Sequence, residues 1–219
     1  MRGKDSLYVV LRQRVLAGFY SPGTQLKEEP LAREFGLSRT PVRSALKLLI
    51  DDGLATAEGG PGVRVTTWSD HDVEDSFQLR LLLEPHTAAL AAVRGGDPMV
   101  TILRQSNVEM AEAIRQENIQ RIQDENRLFH LTLLEYCGSP RLRTILQNMI
   151  DIPMIVRSFY LANEDDLKQS LRHHEEITAA AIDANGDAAR HAMQLHLSVS
   201  FKRFLRHRAT FRDQGFVRA

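Results

Sequence analysis

The chain of 219 residues carries 28 basic and 28 acidic side chains, so no whole-molecule charge announces a nucleic acid or a membrane surface. The length admits one large domain or two small ones, each with a proper core. One cysteine, Cys137, excludes an intrachain disulfide framework. The absence of a membrane-length apolar run or a signal-peptide h-region leads us to expect a cytoplasmic protein.

The charge is unevenly placed. Residues 1–67 hold 10 Lys/Arg against 7 Asp/Glu, and the remainder holds 18 against 21. That is the sign expected if only the first part meets phosphates. Leu7, Val10, Leu11, Val15 and Leu16 recur at helical spacing up to Gly18, and Ser21-Pro22-Gly23 reads as a turn. A second helix over 27–35 turns Leu31 and Phe35 inward and stops at Gly36. Ser38 is placed to cap a third helix, which tolerates Pro41 because its first turn has no intrahelical N–H partner to lose. Val42, Ala45, Leu46, Leu49 and Ile50 make its buried stripe. Arg39, Thr40, Arg43, Ser44 and Lys47 therefore share the outer face.

Residues 54–58 and 63–67 alternate like short strands around a glycine-rich tip at 59–62. Three helices followed by a hairpin predict a winged helix-turn-helix, with the third helix in a DNA major groove and the hairpin at the minor groove or backbone. Arg43 is the first choice for base readout and Arg39 the second; Lys47 shares the stripe, and Arg64 beside the tip is the expected wing contact.

Beyond Trp68-Ser69-Asp70 the apolar spacing is helical almost throughout. It predicts helices near 70–94, 98–117, 119–137, 139–162, 165–185 and 187–208, with a kink at Pro153, packed as an antiparallel six-helix bundle. Residues 206–219 read as frayed and polar. The predicted fold class is thus mainly α, with a DNA-binding domain at 1–67 and an all-helical domain at 68–219.

All eight histidines lie in the second part. Asn126 and His130, one turn apart, sit on a face with Ile122, Phe129, Leu133 and Cys137. His174 and His196 each stand 11 residues from Asn185, about 16 Å along their own helices, so an antiparallel hairpin brings them level. Three inward imidazoles and an amide oxygen suit a divalent transition metal such as Zn²⁺ or Ni²⁺; the alternative is that each histidine is a hydrogen-bonded core residue.

The run from Leu31 to Leu54, with Ser38-Arg39-Thr40-Pro41-Val42-Arg43 and Asp52-Gly53-Leu54, resembles the N-terminal domain of GntR-family bacterial transcription regulators. The resemblance implies that Ser38, Arg39, Thr40, Arg43 and Gly62 touch operator DNA. Ser44 stands where family members commonly carry Glu, and the tip lacks the basic or Asn residues often seen there. Asn126-Arg127-Leu128-Phe129-His130, with His174 and His196, is similar to the FCD effector-binding domain of the FadR-like branch, in its six-helix, VanR-type version. It implies a metal held by Asn126, His130, His174 and His196 at the floor of a ligand cavity, with Asn126 binding it less tightly than the family's Asp. Arg80 and Glu84 have two readings. They form a surface ion pair one turn apart, or, in the reading supported by the family resemblance, Arg80 aims its planar fork at an effector carboxylate.

The function expected from these features is a metabolite-responsive transcription regulator. A homodimer would bind operator DNA, and a small organic acid would bind at the metal and Arg80. Two other classes compete with it: a DNA-binding protein with an inert helical dimerisation domain, and a metalloenzyme using Glu125 or Glu175 as base.

Overall fold

The computed structural model describes residues 3–57, 62–150, 162–213 and 217–218. They fall into two compact units, one built from residues up to Asp72 together with the C-terminal segment from Arg208, the other from described residues between Val73 and His207.

In the first unit, α1 (Gly3–Leu16), α2 (Glu28–Phe35) and α3 (Arg39–Asp51) enclose a core of Leu7, Leu11, Val15, Leu31, Val42, Ala45, Leu46 and Leu49. These are largely the apolar positions whose spacing predicted the helices. Gly36 ends α2 in the left-handed conformation at φ 63°, a backbone state that glycine adopts without steric cost. Ser38 occupies the N-cap position of α3 with extended backbone, but its hydroxyl makes no capping bond. The hairpin forms as β2 (Ala55–Ala57) and β3 (Val63–Val65). A strand the sequence did not announce, β1 (Gln25–Leu26), pairs antiparallel with the other edge of β3. The tip residues 58–61 lie outside the described residues. Gly62 sits at φ 133°, where a Cβ would meet the Leu26 carbonyl oxygen at 2.5 Å. This position is therefore fixed as glycine by its close approach to β1.

The expectation of a frayed C-terminus is corrected. The last helix continues to Asp213, and β5 (Val217–Arg218) pairs in parallel with β4 (Trp68–Ser69). Ser69 also caps the following helix reciprocally with Asp72. Its backbone N–H donates to the Asp72 carboxylate at 2.7 Å, while the Asp72 N–H donates to the Ser69 hydroxyl at 3.1 Å.

The helices of the second part are α4 (Asp70–Arg94), α5 (Gly96–Arg115), α6 (Ile119–Tyr136), α7 (Pro140–Ile150), α8 (Glu164–Ile182) and α9 (Gly186–Asp213). Asn118 and Asn163 cap α6 and α8 through their side-chain oxygens. The stretch 151–161, with the predicted kink at Pro153, lies outside the described residues. The core joins Ala88, Ala92, Met99, Leu103, Phe129, Leu133, Leu146, Ile177, Met193 and Leu197 from all six helices. Helices α8 and α9 run antiparallel in one consistent register. The Asp166 carboxylate lies 3.7 Å from Arg203 Nε near one end of the pair, and the His174 and His196 rings are 4.8 Å apart further along.

Candidate functional site

On the first unit, Ser38, Arg39, Thr40, Arg43 and Lys47 are all exposed on α3, as the stripe predicts. A buried carboxylate organises them. Glu28, from the first turn of α2, accepts from Arg39 Nε and Nη2 at 3.2 and 3.1 Å. It also accepts from Arg43 Nε and Nη2 at 2.7 and 2.9 Å. Because Glu28 grips Arg43 along the Nε–Nη2 edge, the Nη1–Nη2 edge of the guanidinium keeps donors for a second planar partner. The hydrogen bond from Arg43 is the chief cause that lowers the Glu28 pKa. Arg64, the expected wing contact, donates from Nη1 to the Gly23 carbonyl at 2.6 Å, which ties β3 to the turn before β1.

In the second unit α6, α8 and α9 converge on His130, His174 and His196. All three are buried, and one ring nitrogen from each falls within 4.8 Å of the others. The predicted level pairing of His174 and His196 is present. Phe129 lies flat on His174, with ring centroids 3.9 Å apart and planes 4° from parallel, and so fixes that imidazole. Burial is the main cause that drives the pKa of both His174 and His196 well below the ordinary range, with neighbouring imidazoles adding to it. Both rings are neutral at pH 7 and keep a lone pair to offer.

Glu84 on α4 completes the arrangement. Burial would push its carboxyl up, but Arg80 and His130 outweigh that and hold it at about 2. An ionised carboxylate only accepts, so the 2.7 Å contact to His130 Nδ1 places the proton on that nitrogen. The other ring nitrogen, Nε2, is thereby directed to the cluster, where it lies 3.2 Å from His196 Nε2. Two nitrogens bound to one tetrahedral Zn²⁺ at about 2.0–2.1 Å stand about 3.3 Å apart. Both nitrogens of His174, Nδ1 of His196 and the amide oxygen of Asn126 are buried without a hydrogen-bond partner. Unsatisfied imidazole nitrogens brought this close together are the chemistry a borderline-soft divalent cation takes. The residues fit such an ion.

Arg80 forms the ion pair with Glu84, but at the wrong address for the surface reading: both side chains are buried. With Nε spent on Glu84, Arg80 Nη1 remains buried and unpartnered. Of the carboxylates considered as a catalytic base, Glu175 is exposed, while Glu125 is partly buried on α6. The carboxylate that reaches the cluster is Glu84, through His130. The sequence offered a signal for it, the i,i+4 spacing to Arg80, but spacing alone cannot report that the pair is buried.

Comparison with known proteins decides the family. The model of the FCD domain matches residues 75–199, more than half of the chain, and that of the bacterial regulatory proteins of the gntR family matches residues 4–65. The chain belongs to the GntR family. This GntR-family protein is 28% identical to the uncharacterised HTH-type transcriptional regulator YdhC of Bacillus subtilis (strain 168), over 87% of this chain and 86% of that protein. It is 25% identical to the HTH-type transcriptional repressor GlaR of Escherichia coli (strain K12), over 87% and 90% respectively. Among solved structures, E. coli McbR/YncC shares the fold with a TM-score of 0.76 at 22% identity, covering 93% of this chain and all of that one. The protein is a transcription regulator with a DNA-binding N-terminal domain and an FCD domain; its relatives are regulators rather than enzymes. Among the described residues, no helix is long and apolar enough to cross a membrane.

Proposed function

We propose that this regulator is a metal-dependent sensor of a small carboxylate. It binds a pseudo-palindromic operator as a homodimer through residues 1–67, and releases or engages it according to what residues 68–219 have bound. The observation that carries the reading is the cluster of three buried imidazoles, with His174 and His196 held neutral and His130 oriented by Glu84. His130, His174 and His196, with the Asn126 amide oxygen, would hold Zn²⁺ or Ni²⁺. When bound, that ion would supply a positive charge, and a position for an effector oxygen once its coordination expands beyond the four protein donors.

The charge balance around the cluster argues for an anionic effector. Glu84 is already matched by Arg80, and every proposed ligand is neutral, so the ion's two charges meet no counter-charge from its own donors. A carboxylate meets that charge and engages the unpartnered Nη1 of Arg80. Effector binding changes DNA occupancy only through different affinities for the DNA-competent and incompetent arrangements. Dimerisation follows from reading length, since one winged helix covers too few bases for adequate discrimination and two-fold operators mirror two-fold proteins. GlaR is a transcriptional repressor, and repression is the sense we extend to this chain. On α3, Arg43 reads a base edge and Arg39 seconds it; Ser38, Thr40 and Lys47 beside them, with Gly62 and Arg64 at the hairpin, set register on the backbone.

A gel-shift titration against fragments selected from genomic DNA, at physiological salt, tests the reading. A preferred site is expected, with occupancy shifted by a carboxylate only in metal-loaded protein. Equal affinity for all fragments, or a carboxylate response that survives metal removal, would overturn it.

A further inference from the structure

The polar face of the α8–α9 pair does not end at the histidine cluster. Two turns further along α9 lies Arg203, 1% exposed and one of the largest fully buried side chains in the protein. Its Nη2 donates to the Asp166 backbone carbonyl at 2.8 Å. Its Nε, 3.7 Å from the Asp166 carboxylate, is beyond hydrogen-bond distance and has no partner. Asp166 is claimed instead by Arg206, at 2.9 Å. Two guanidinium groups therefore share one carboxylate, which leaves one positive charge uncompensated, and the buried arginine is the less satisfied of the two. A buried charge left incompletely paired is costly.

Along α8, between the level of Arg203 at Asp166 and the level of the histidine cluster, are two more unsatisfied groups. The Ser170 hydroxyl, one turn from Asp166 on α8, is buried without a partner, and so is Nδ1 of His173 in the next turn. Arg203 acts electrostatically on His173, and the His173 ring stands 5.9 Å from that of His196. The array thus continues from the histidine cluster through His173 and Ser170 to Arg203. Seven residues separate His196 from Arg203 along α9, about 10 Å of helix. The Arg203 side chain slants towards the helix N-terminus and so back towards the cluster.

We propose that Arg203, with Ser170 and His173, forms a second anion subsite, and that the effector is a dicarboxylate bridging it to the metal and Arg80. This rests on the carboxylate-sensor reading above and narrows it to one ligand class. One carboxylate meets the metal and Arg80 Nη1. The other meets Arg203 Nε, the Ser170 hydroxyl and His173 Nδ1. Both ends use neutral donors and arginines whose own carboxylate partners leave donors to spare, so the ligand supplies the charge and acceptors that the protein lacks.

The test is calorimetric titration of Zn²⁺-loaded full-length protein with linear dicarboxylates of about four to eight carbons, each beside the monocarboxylate of equal length. At least one dicarboxylate is expected to bind about tenfold or more tightly than its monocarboxylate partner. Arg203→Gln should erase that preference while leaving Zn²⁺ binding and monocarboxylate affinity within about twofold. Should that variant fail to fold, the double substitution Ser170→Ala with His173→Gln is expected to cut the preference several-fold. Equal binding of the two series to the wild type, or a preference that persists in the variants, overturns the second subsite alone. If Zn²⁺ binds but neither series does, the carboxylate-sensor reading itself fails, and this inference with it.

Discussion

His130 and Arg80 share a single buried counter-ion: the two oxygens of Glu84 are divided between them, Oε1 to the guanidinium and Oε2 to the imidazole. One side chain thereby sets the tautomer of a proposed metal ligand and neutralises the arginine proposed to meet the effector. Outer carboxylates of this kind orient the imidazole and raise its basicity.

Glu84→Gln should weaken Zn²⁺ binding by about 10–100-fold, measured by competition with a chromophoric chelator. It also leaves Arg80 buried without a counter-charge, for which a loss of about 3–5 kcal/mol in unfolding free energy is expected. Wild-type metal affinity in a folded variant would rule out the orienting role.

His130→Ala should abolish stoichiometric metal uptake and the effector response while operator binding stays within about twofold, since the recognition helix belongs to the other unit. Metal analysis and gel shifts on the same preparation read both. An effector response that survives would separate effector recognition from the histidines.

Arg43→Ala should lower affinity for the preferred operator by about 5–150-fold and relax base preference at one position of each half-site. Binding-site selection on the variant checks this. A uniform loss across all sequences would assign Arg43 to phosphate instead.

The Glu28 carboxyl should titrate below its ordinary value of about 4.3, as followed by carboxyl carbon NMR, and move back towards it in Arg43→Ala, whose hydrogen bond is the main cause of the shift. The sign for stability follows from that depression. The stabilisation that Glu28 gives is full above its unfolded pKa and is lost as pH falls through its lower folded one. Unfolding measured from pH 7 downwards should therefore separate wild type from Glu28→Gln most at neutral pH and least at the acid end.

Gly62→Ala should lower the thermal stability of the winged domain, by about 1–3 kcal/mol, because a Cβ there collides with the Leu26 carbonyl. A melting curve recorded beside the DNA titration separates this cost from lost DNA contact. An unchanged melting temperature would make Gly62 a contact residue only.

Much of this architecture was legible in the sequence because helix periodicity and turn chemistry are local. Val42, Ala45, Leu46 and Leu49 announced the buried face of α3, and Gly36 announced the turn before it. His174 and His196 could be paired because a helical hairpin converts distance from its turn directly into height. What escaped was whatever depends on long-range burial. Strand β1 is two residues long and owes its existence to the edge of β3. Glu28 and Glu84 looked like ordinary helix-surface acids until packing placed each beneath two basic side chains. Arg203 gave no sign of burial, since its helix carries arginines at 190, 203, 206, 208 and 212 alike.

The antiparallel register of α8 and α9 has one more consequence. Asp166–Arg203 and His174–His196 are both level because the turn near Ala184-Asn185 has the length it has. Adding or removing one residue there would rotate everything downstream on α9 by about 100°. It would swing His196 and Arg203 off the shared face together. The turn touches neither group, yet it works as the gauge block against which both are aligned, so its length belongs to the site as surely as any side chain.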